Sequence, residues 1–280
     1  MDKILFIIFL LIGIGILNAK SDINPESWWK DGYCVQKSVI TPPPGESTIR
    51  AEVEGTWQSF PLVDFPESFW QWNTAKRNEY LEIIREMLAL GPKSTRRPEL
   101  AGPHNGIVAT YGMARKDSAF KLNNAVKGMG FCPKPEKLPE IIAMLQAHQD
   151  SPMPQKLDIL DSLYTNAQAI FAADRLLSLE LYSEPGFNTQ TFINQMVNPA
   201  CVTVFLDVPT FKLKQIARLL HPGNPGLSEY ERQMCQYVNL MHSFFHGEFP
   251  RDYIGVVYYN VEVYDSSPGR DDAKGTKLTP

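Results

Sequence analysis

The stretch 201–220 constrains the fold more than any other. Cys201, Thr203 and Phe205 alternate with Val202, Val204 and Leu206. After Val208 and Pro209, Phe211, Leu213, Gln215, Ala217 and Leu219 alternate with Lys212, Lys214, Ile216 and Arg218. A period of two on both sides of a proline-containing turn predicts an antiparallel hairpin. The first arm is apolar on both faces, which suits a strand covered on both sides.

The neighbouring residues extend the pattern. Leucines at 177, 179 and 181 alternate with Ser178, Glu180 and Tyr182 and predict a strand closed by the turn residues 183–186. Phe192, Ile193 and Met196 recur at helical spacing, with Asn188 or Thr189 as the cap. Asn198 before Pro199 stops that helix, because the residue before proline is pushed out of the helical region. Ser228 and Glu231 form a capping box for a helix whose apolar stripe runs from Tyr230 through Met234, Tyr237, Val238 and Met241 to Phe244 and Phe245; Gly247 and Pro250 end it. Residues 253–264 predict a last strand, with Val257, Tyr259, Val261 and Val263 facing one way and Tyr258, Asn260 and Glu262 the other. Val204, Leu206, Leu213, Val257, Tyr259 and Val261 are the expected core of one sheet.

The order strand, short helix ending in Asn198 and Pro199, hairpin, helix, strand resembles the later part of the pyridoxamine-phosphate-oxidase-like (FMN-binding split-barrel) family. The resemblance covers about a third of the chain. It implies a first hairpin to which residues 163–172 would contribute, a flavin or haem-like ring as cofactor (FMN or haem), and flavin-dependent oxidoreductase-like chemistry. Lys212, Lys214, Arg218 and His242 are the cofactor-binding candidates. The three cations on one strand face suit a phosphate group, and they equally suit a solvated outer face that discourages edge pairing.

Before this unit, aromatic and proline-rich residues dominate 20–72, with Trp28, Trp29, Pro42, Pro43 and Pro44. We expect an extended segment lying over the main body, with strand character at 48–57. The aromatic group Phe65, Phe69, Trp70 and Trp72 suits packing or a ring-stacking surface. Residues 74–90 predict a helix lined by Leu81, Ile84, Met87 and Leu88 and ended by Gly91 and Pro92. Basic and hydroxyl residues at 93–97, followed by the glycines and His104 of 101–106, form either a phosphate-holding or a solvated loop. Residues 107–111 predict a short strand; 135–147 and the first half of 156–172 predict helices. The expected organisation is a signal peptide at 1–19, the extended segment at 20–72, a mainly helical region at 73–154, a split-barrel-like domain at 155–270 and a disordered tail at 271–280. The fold class is α+β, an antiparallel sheet or split barrel in the C-terminal half with helices from the N-terminal half packed against it.

The apolar run 4–17, followed by Ala19, is shorter than the roughly 18 residues needed to span a bilayer. It predicts a cleaved secretory signal, hence an extracellular or periplasmic protein with no stable membrane insertion after cleavage. Cys34, Cys132, Cys201 and Cys235 permit disulfides there in any of three pairings, although Cys201 and Cys235 sit on apolar faces that suit buried free thiols equally well. A formal net charge of −4 gives no reason to expect nucleic acid. A small-molecule ligand and a homodimer are the partners this reading allows.

No nucleophile elbow, zinc-protease helix, phosphate-binding glycine loop, EF-hand or dinucleotide fingerprint is present. Among the five histidines, His242 and His246 stand four apart on one helix and are the candidate metal ligands, with His221 or Glu248 as third. The same two rings also suit a helix surface bonded to backbone or water, or a place against a haem or flavin ring. Two function classes follow: a secreted ligand-binding or redox protein of split-barrel type, and a cofactor-free secreted binding or interaction protein.

Overall fold

The computed structural model describes residues 24–269 and 275–280. The expected signal peptide at 1–19 lies outside the described residues. The chain opens with a small hairpin, β1 (Trp29–Lys30) and β2 (Tyr33–Cys34). A three-stranded sheet follows: β3 (Val39–Ile40), β4 (Thr48–Val53) and β5 (Thr56–Pro61). Glu54 and Gly55, both with positive φ, turn β4 into β5. The long helix α1 (Glu67–Leu90) leads to β6 (Asn105–Tyr111), β7 (Leu122–Gly128) and β8 (Gly130–Pro133). Three helices come next: α2 (Leu138–Ala147), α3 (Met153–Thr165) and α4 (Ala167–Ile170). The remainder is β9 (Phe171–Glu180), α5 (Gln190–Val197), β10 (Ala200–Phe205), β11 (Phe211–Leu220), α6 (Glu229–His246), β12 (Ile254–Asp265) and β13 (Thr276–Lys277).

The fold is α+β around one antiparallel sheet with strand order β7-β6-β10-β11-β12-β9-β8. The two ends of that order, β7 and β8, are separated in sequence by Met129 alone. A chain that crosses from one end of a sheet to the other in one residue requires the ends to be close, so the sheet must curl. Lys127 of β7 and Glu180 of β9 meet across the gap at 2.6 Å, Glu180 buried and Lys127 half-buried.

The concave face carries the core. Phe205 and Phe211, partners on the adjacent strands β10 and β11, and Phe131 of the distant β8 share one aromatic cluster with Phe65, Phe69, Trp70 and Trp72 at the start of α1. These four aromatics are therefore packing residues, 0 to 7% exposed, and not a stacking surface. Burial of this group explains why α1 begins seven residues before the expected start at Thr74. At the other end α5 closes the concave face: Asn194 Nδ2 donates to Thr110 Oγ1 and Gln195 Nε2 to the Tyr258 hydroxyl. Thr189 caps α5, accepting from the Phe192 amide at 3.1 Å, and α5 ends before Asn198 and Pro199 as the sequence predicts. On the opposite face α6 lies over β9, β11 and β12, and α2 packs on α6. The predicted capping box is in place, with Glu231 Oε2 accepting from the Ser228 amide and Ser228 Oγ from the Glu231 amide.

Several expectations are corrected. Leu206 lies beyond β10 and is 61% exposed, and Val204 and Val261 are only half-buried; Leu213, Val257 and Tyr259 are buried as expected. The buried face of β10 is Cys201, Thr203 and Phe205. A bulge explains Val261. Lys214 pairs with Glu262 but Gln215 pairs with Asn260, so Val261 is the extra residue and the alternation inverts there. Asn260 therefore joins a buried chain in which Thr203 Oγ1 donates to Gln215 Oε1 and Gln215 Nε2 to Asn260 Oδ1. Residues 163–172, the expected share of a first hairpin, are the end of α3, α4 and the start of β9. Residues 105–133, within the region expected to be mainly helical, give three strands of the main sheet, so the sheet draws on both halves of the chain. In the expected disordered tail at 271–280, Lys277 and Thr276 pair with Tyr264 and Asp265. All four cysteines are buried and unpaired. Burial pushes the thiols of Cys34, Cys132 and Cys235 up to about 12. Among the described residues no helix is long and apolar enough to cross a membrane.

Candidate functional site

The gap left by the curled sheet is a cavity of about 370 Å³. Its position follows from the strand pairing. β8 covers β9 only as far as Leu177, opposite Gly130, so the edge of β9 beyond it has no strand on that side. The cavity wall continues from that edge, through 128–131, onto α1, α3, the second half of α6 and the loop 98–105. The lining is mainly aliphatic and aromatic, with Tyr80, Tyr164, Phe131 and Phe245 among the rings. A few polar groups interrupt an otherwise apolar wall, as in small-molecule sites, whose volumes run from about 300 to 1,000 Å³.

The polar groups divide by whether the protein already uses them. Arg77, on α1, is 7% exposed and bonded through Nε and Nη2 to neutral oxygens, with no acidic partner for its charge among the described residues. It donates to Asn73 Oδ1 at 2.7 Å and to the carbonyl oxygens of Pro103 and Met129 at 3.2 and 2.8 Å. Its guanidinium also lies over the rings of Phe131 and Tyr164. It thus ties the 98–105 loop and the β7–β8 crossing to α1. Lys76 pairs with Glu79, which Arg96 also approaches; Asp207 accepts from the Trp72 indole at 2.9 Å.

Three imidazoles are not used. His242 and His246 project from one face of α6 with ring centroids 4.7 Å apart, and His242 stacks on Phe249. His104 reaches the same cavity from the 98–105 loop, its ring 3.5 Å from the position a Cβ on Gly128 would take. Among the described residues no protein group hydrogen-bonds a ring nitrogen of His104, His242 or His246, whereas Nδ1 of His148 meets Ser151 Oγ and Nδ1 of His221 accepts from the Gly223 amide. In all three cavity rings the proton affinity is lowered, which favours the neutral form. Surrounding protein strips water from His104, and the charge of Arg77 adds to the effect, lowering its pKa to about 4 although the ring surface stays open to the cavity. Desolvation lowers His242 and His246 below the ordinary value, with His246 adding repulsion on His242.

The structure brings together only part of the residues singled out in the sequence. His242 and His246 share the cavity with each other and with His104. Of their suggested third metal ligands, His221 packs against Trp29 and Tyr33, and Glu248 is exposed beyond the end of α6. Among the described residues no group of three or more histidine, cysteine or acidic side chains could hold a metal ion. Lys212 and Lys214 lie on the outer face of the sheet against Tyr264, with Lys214 paired to Glu262 at 2.5 Å. Arg218, four residues further along the strand on that face, is covered: it pairs with Glu231 at 2.8 Å and donates to Thr41 Oγ1 and the Gln36 carbonyl. The cationic stripe is therefore split by the cover of α6 and the N-terminal segment, and it does not line the cavity with His242. In the basic loop 93–97, Arg96 approaches Glu79 and Glu86, and Arg97 donates to backbone carbonyls of the loop itself.

Arg77 and the β7–β8 crossing escaped the sequence reading. The available signal was glycine at both 128 and 130. Gly128 faces the His104 ring, and Gly130 sits against the Leu177 carbonyl, so the crossing runs close to both walls. The chain matches no family model, no curated protein and no solved structure.

Proposed function

We propose that this protein binds a small organic ligand with a flat, largely apolar body in the cavity at the seam of the sheet. The observation that carries the reading is the pairing of an aromatic-lined cavity of about 370 Å³ with three imidazoles whose nitrogens have no protein partner. Polar groups placed on an apolar wall and left unsatisfied by the protein are what a ligand site supplies for orientation. The curled antiparallel sheet also fits a split barrel, and a flavin or haem-like ring is one body of suitable shape. A flavin phosphate would have to be held by groups other than Lys212, Lys214 and Arg218.

The test is a fluorescence titration with N-phenyl-1-naphthylamine, an uncharged ring probe. We expect saturable one-to-one enhancement, lost in Gly128→Leu, whose side chain would fill the space over His104 while circular dichroism stays unchanged. Equal enhancement in the two proteins would remove the cavity as the binding site. FMN and haem enter the same titration as competitors, and displacement by either would support the ring cofactor.

A further inference from the structure

We infer that the ligand of this cavity is an organic anion, a carboxylate on a flat apolar body, whose charge is met by Arg77. The inference rests on the proposed function and adds the sign of the ligand's charge. Arg77 is 7% exposed and forms part of the cavity wall. Its Nε donates to Asn73 Oδ1, and its Nη2 to the carbonyl oxygens of Pro103 and Met129. Each of these acceptors is neutral, and so are the rings of Phe131 and Tyr164 beside the guanidinium. Among the described residues no acidic side chain pairs with Arg77 and no group accepts from its Nη1. Nη1 is not sealed off by protein, and the open space that Arg77 lines is the cavity. A buried charge without a counter-charge is costly; a carboxylate at Nη1 removes that cost and forms charge-assisted hydrogen bonds.

The acidic residues of the lining, Glu79, Glu99 and Asp207, do not offer the converse site for a cation. Both carboxylate oxygens of the half-buried Asp207 already accept, Oδ2 from the Trp72 indole and Oδ1 from the Val208 amide. Its charge also acts on Lys76, as do those of Glu79 and Glu99. Glu79 pairs with Lys76 and is approached by Arg96, and Glu99 is exposed. These acidic charges face cations or water, whereas Arg77 has neither an acidic partner nor an exposed surface. The histidines complete the site for the head group. His104 follows Pro103, whose carbonyl Arg77 holds, and the charge of Arg77 acts on the His104 ring. A neutral imidazole keeps one N–H donor, so the two oxygens of one carboxylate can take donors from Arg77 and from the cavity rings. The aliphatic and aromatic wall takes the flat body.

The experiment is isothermal titration at pH 7.5 with three probes on one ring system: 2-naphthoate, 2-naphthamide and 2-naphthylmethylammonium. In the unmodified protein we expect 2-naphthoate to bind about tenfold or more tighter than either of the others. The naphthoate-to-naphthamide ratio should fall about tenfold in Arg77→Gln, which removes the charge and keeps a donor for the carbonyls. Arg77→Lys covers the case in which the glutamine variant does not fold: it keeps the charge, loses the paired N–H groups of Nη1, and should retain only part of the ratio. Gly128→Leu, which fills the cavity, should lower naphthoate affinity about tenfold or more. Naphthamide or the ammonium probe binding as tightly as naphthoate overturns the inference, as does an unchanged ratio in a folded Arg77 variant. Both results leave the cavity as a site for flat rings. Undiminished naphthoate affinity in Gly128→Leu also overturns the inference, because the anion is then held elsewhere. Failure of all three probes to bind overturns the proposed function itself.

Discussion

His104, His242 and His246 differ from His148 and His221 in one respect that decides their role. The latter two spend a ring nitrogen on the protein; the former three keep theirs for the cavity. His221 makes the comparison testable, because it lies away from the cavity and its pKa is still lowered to about 4, by burial first and by Arg251 second. Its Nδ1 accepts from the Gly223 amide at 3.0 Å, a bond that protonation there would break. An unfolded histidine titrates near 6.5, so between about 6.5 and about 4 the unfolded chain holds a proton at this position that the folded chain lacks. The contribution is complete above about 6.5 and is lost progressively as pH falls toward about 4. We expect the melting temperature to drop from pH 7 to pH 5, and the drop to be smaller in His221→Gln. An equal drop in the two proteins would show that this ring takes up its proton without cost. His104 was visible in the sequence as one of five histidines, but nothing in its neighbours there tells that the second half of α6 lies opposite it.

At the scale of elements, the seam is the feature with energetic consequences. β7 and β9 do not pair along their length; the Lys127–Glu180 contact spans them, with Glu180 1% exposed and also accepting from Ser183 Oγ. Removing one partner of a buried ion pair strands the other charge, at a cost of about 3–5 kcal/mol. Lys127→Met should lose that much in urea unfolding, and Lys127→Met/Glu180→Gln should recover at least half, because the amide needs no counter-charge and keeps an acceptor for Ser183. No recovery in the double variant would mean that the loss comes from packing of the lysine stem. Local signals predicted α5, α6 and the β10–β11 hairpin, since caps, Asn198 with Pro199 and alternation act within a few residues. They gave the wrong facing beyond Asn260, because a bulge depends on which partner strand supplies one residue fewer.

For the whole molecule, the decisive fact is that one core runs from Cys34 to Val263. The N-terminal segment is sewn into it. Gln36 donates to the carbonyl oxygens of Gln195 and Ala217, and its own side-chain oxygen accepts from the Leu219 amide. Trp29 Nε1 donates to Asn188 Oδ1, and its ring stacks on Phe192. A core shared in this way predicts cooperative unfolding of the chain as one unit. Trp28, Trp29 and Trp57 lie in the N-terminal segment and Trp70 and Trp72 against the main sheet, so fluorescence weighs the N-terminal segment more heavily than circular dichroism, to which the strands after residue 104 contribute most. Tryptophan fluorescence and far-ultraviolet circular dichroism should give coincident urea transitions. A fluorescence midpoint well below the other would show that the N-terminal part opens separately.

The sequence by itself determined the elements whose signals are local: the hairpin around Val208 and Pro209, a cap for α5 at Asn188 or Thr189, the capping box of Ser228 and Glu231, and the placing of His242 and His246 on one helix face. Only the tertiary structure decided that Arg218 is covered while Lys212 and Lys214 are not, that Phe69 and Trp72 face the inside of the sheet, and that the chain crosses at Met129 from one end of the sheet to the other. The physical reason is the range of the interactions. Caps and alternation are settled by groups a few residues apart. The cavity exists because β7 and β9, more than forty residues apart, are brought side by side by strands that come later in the chain.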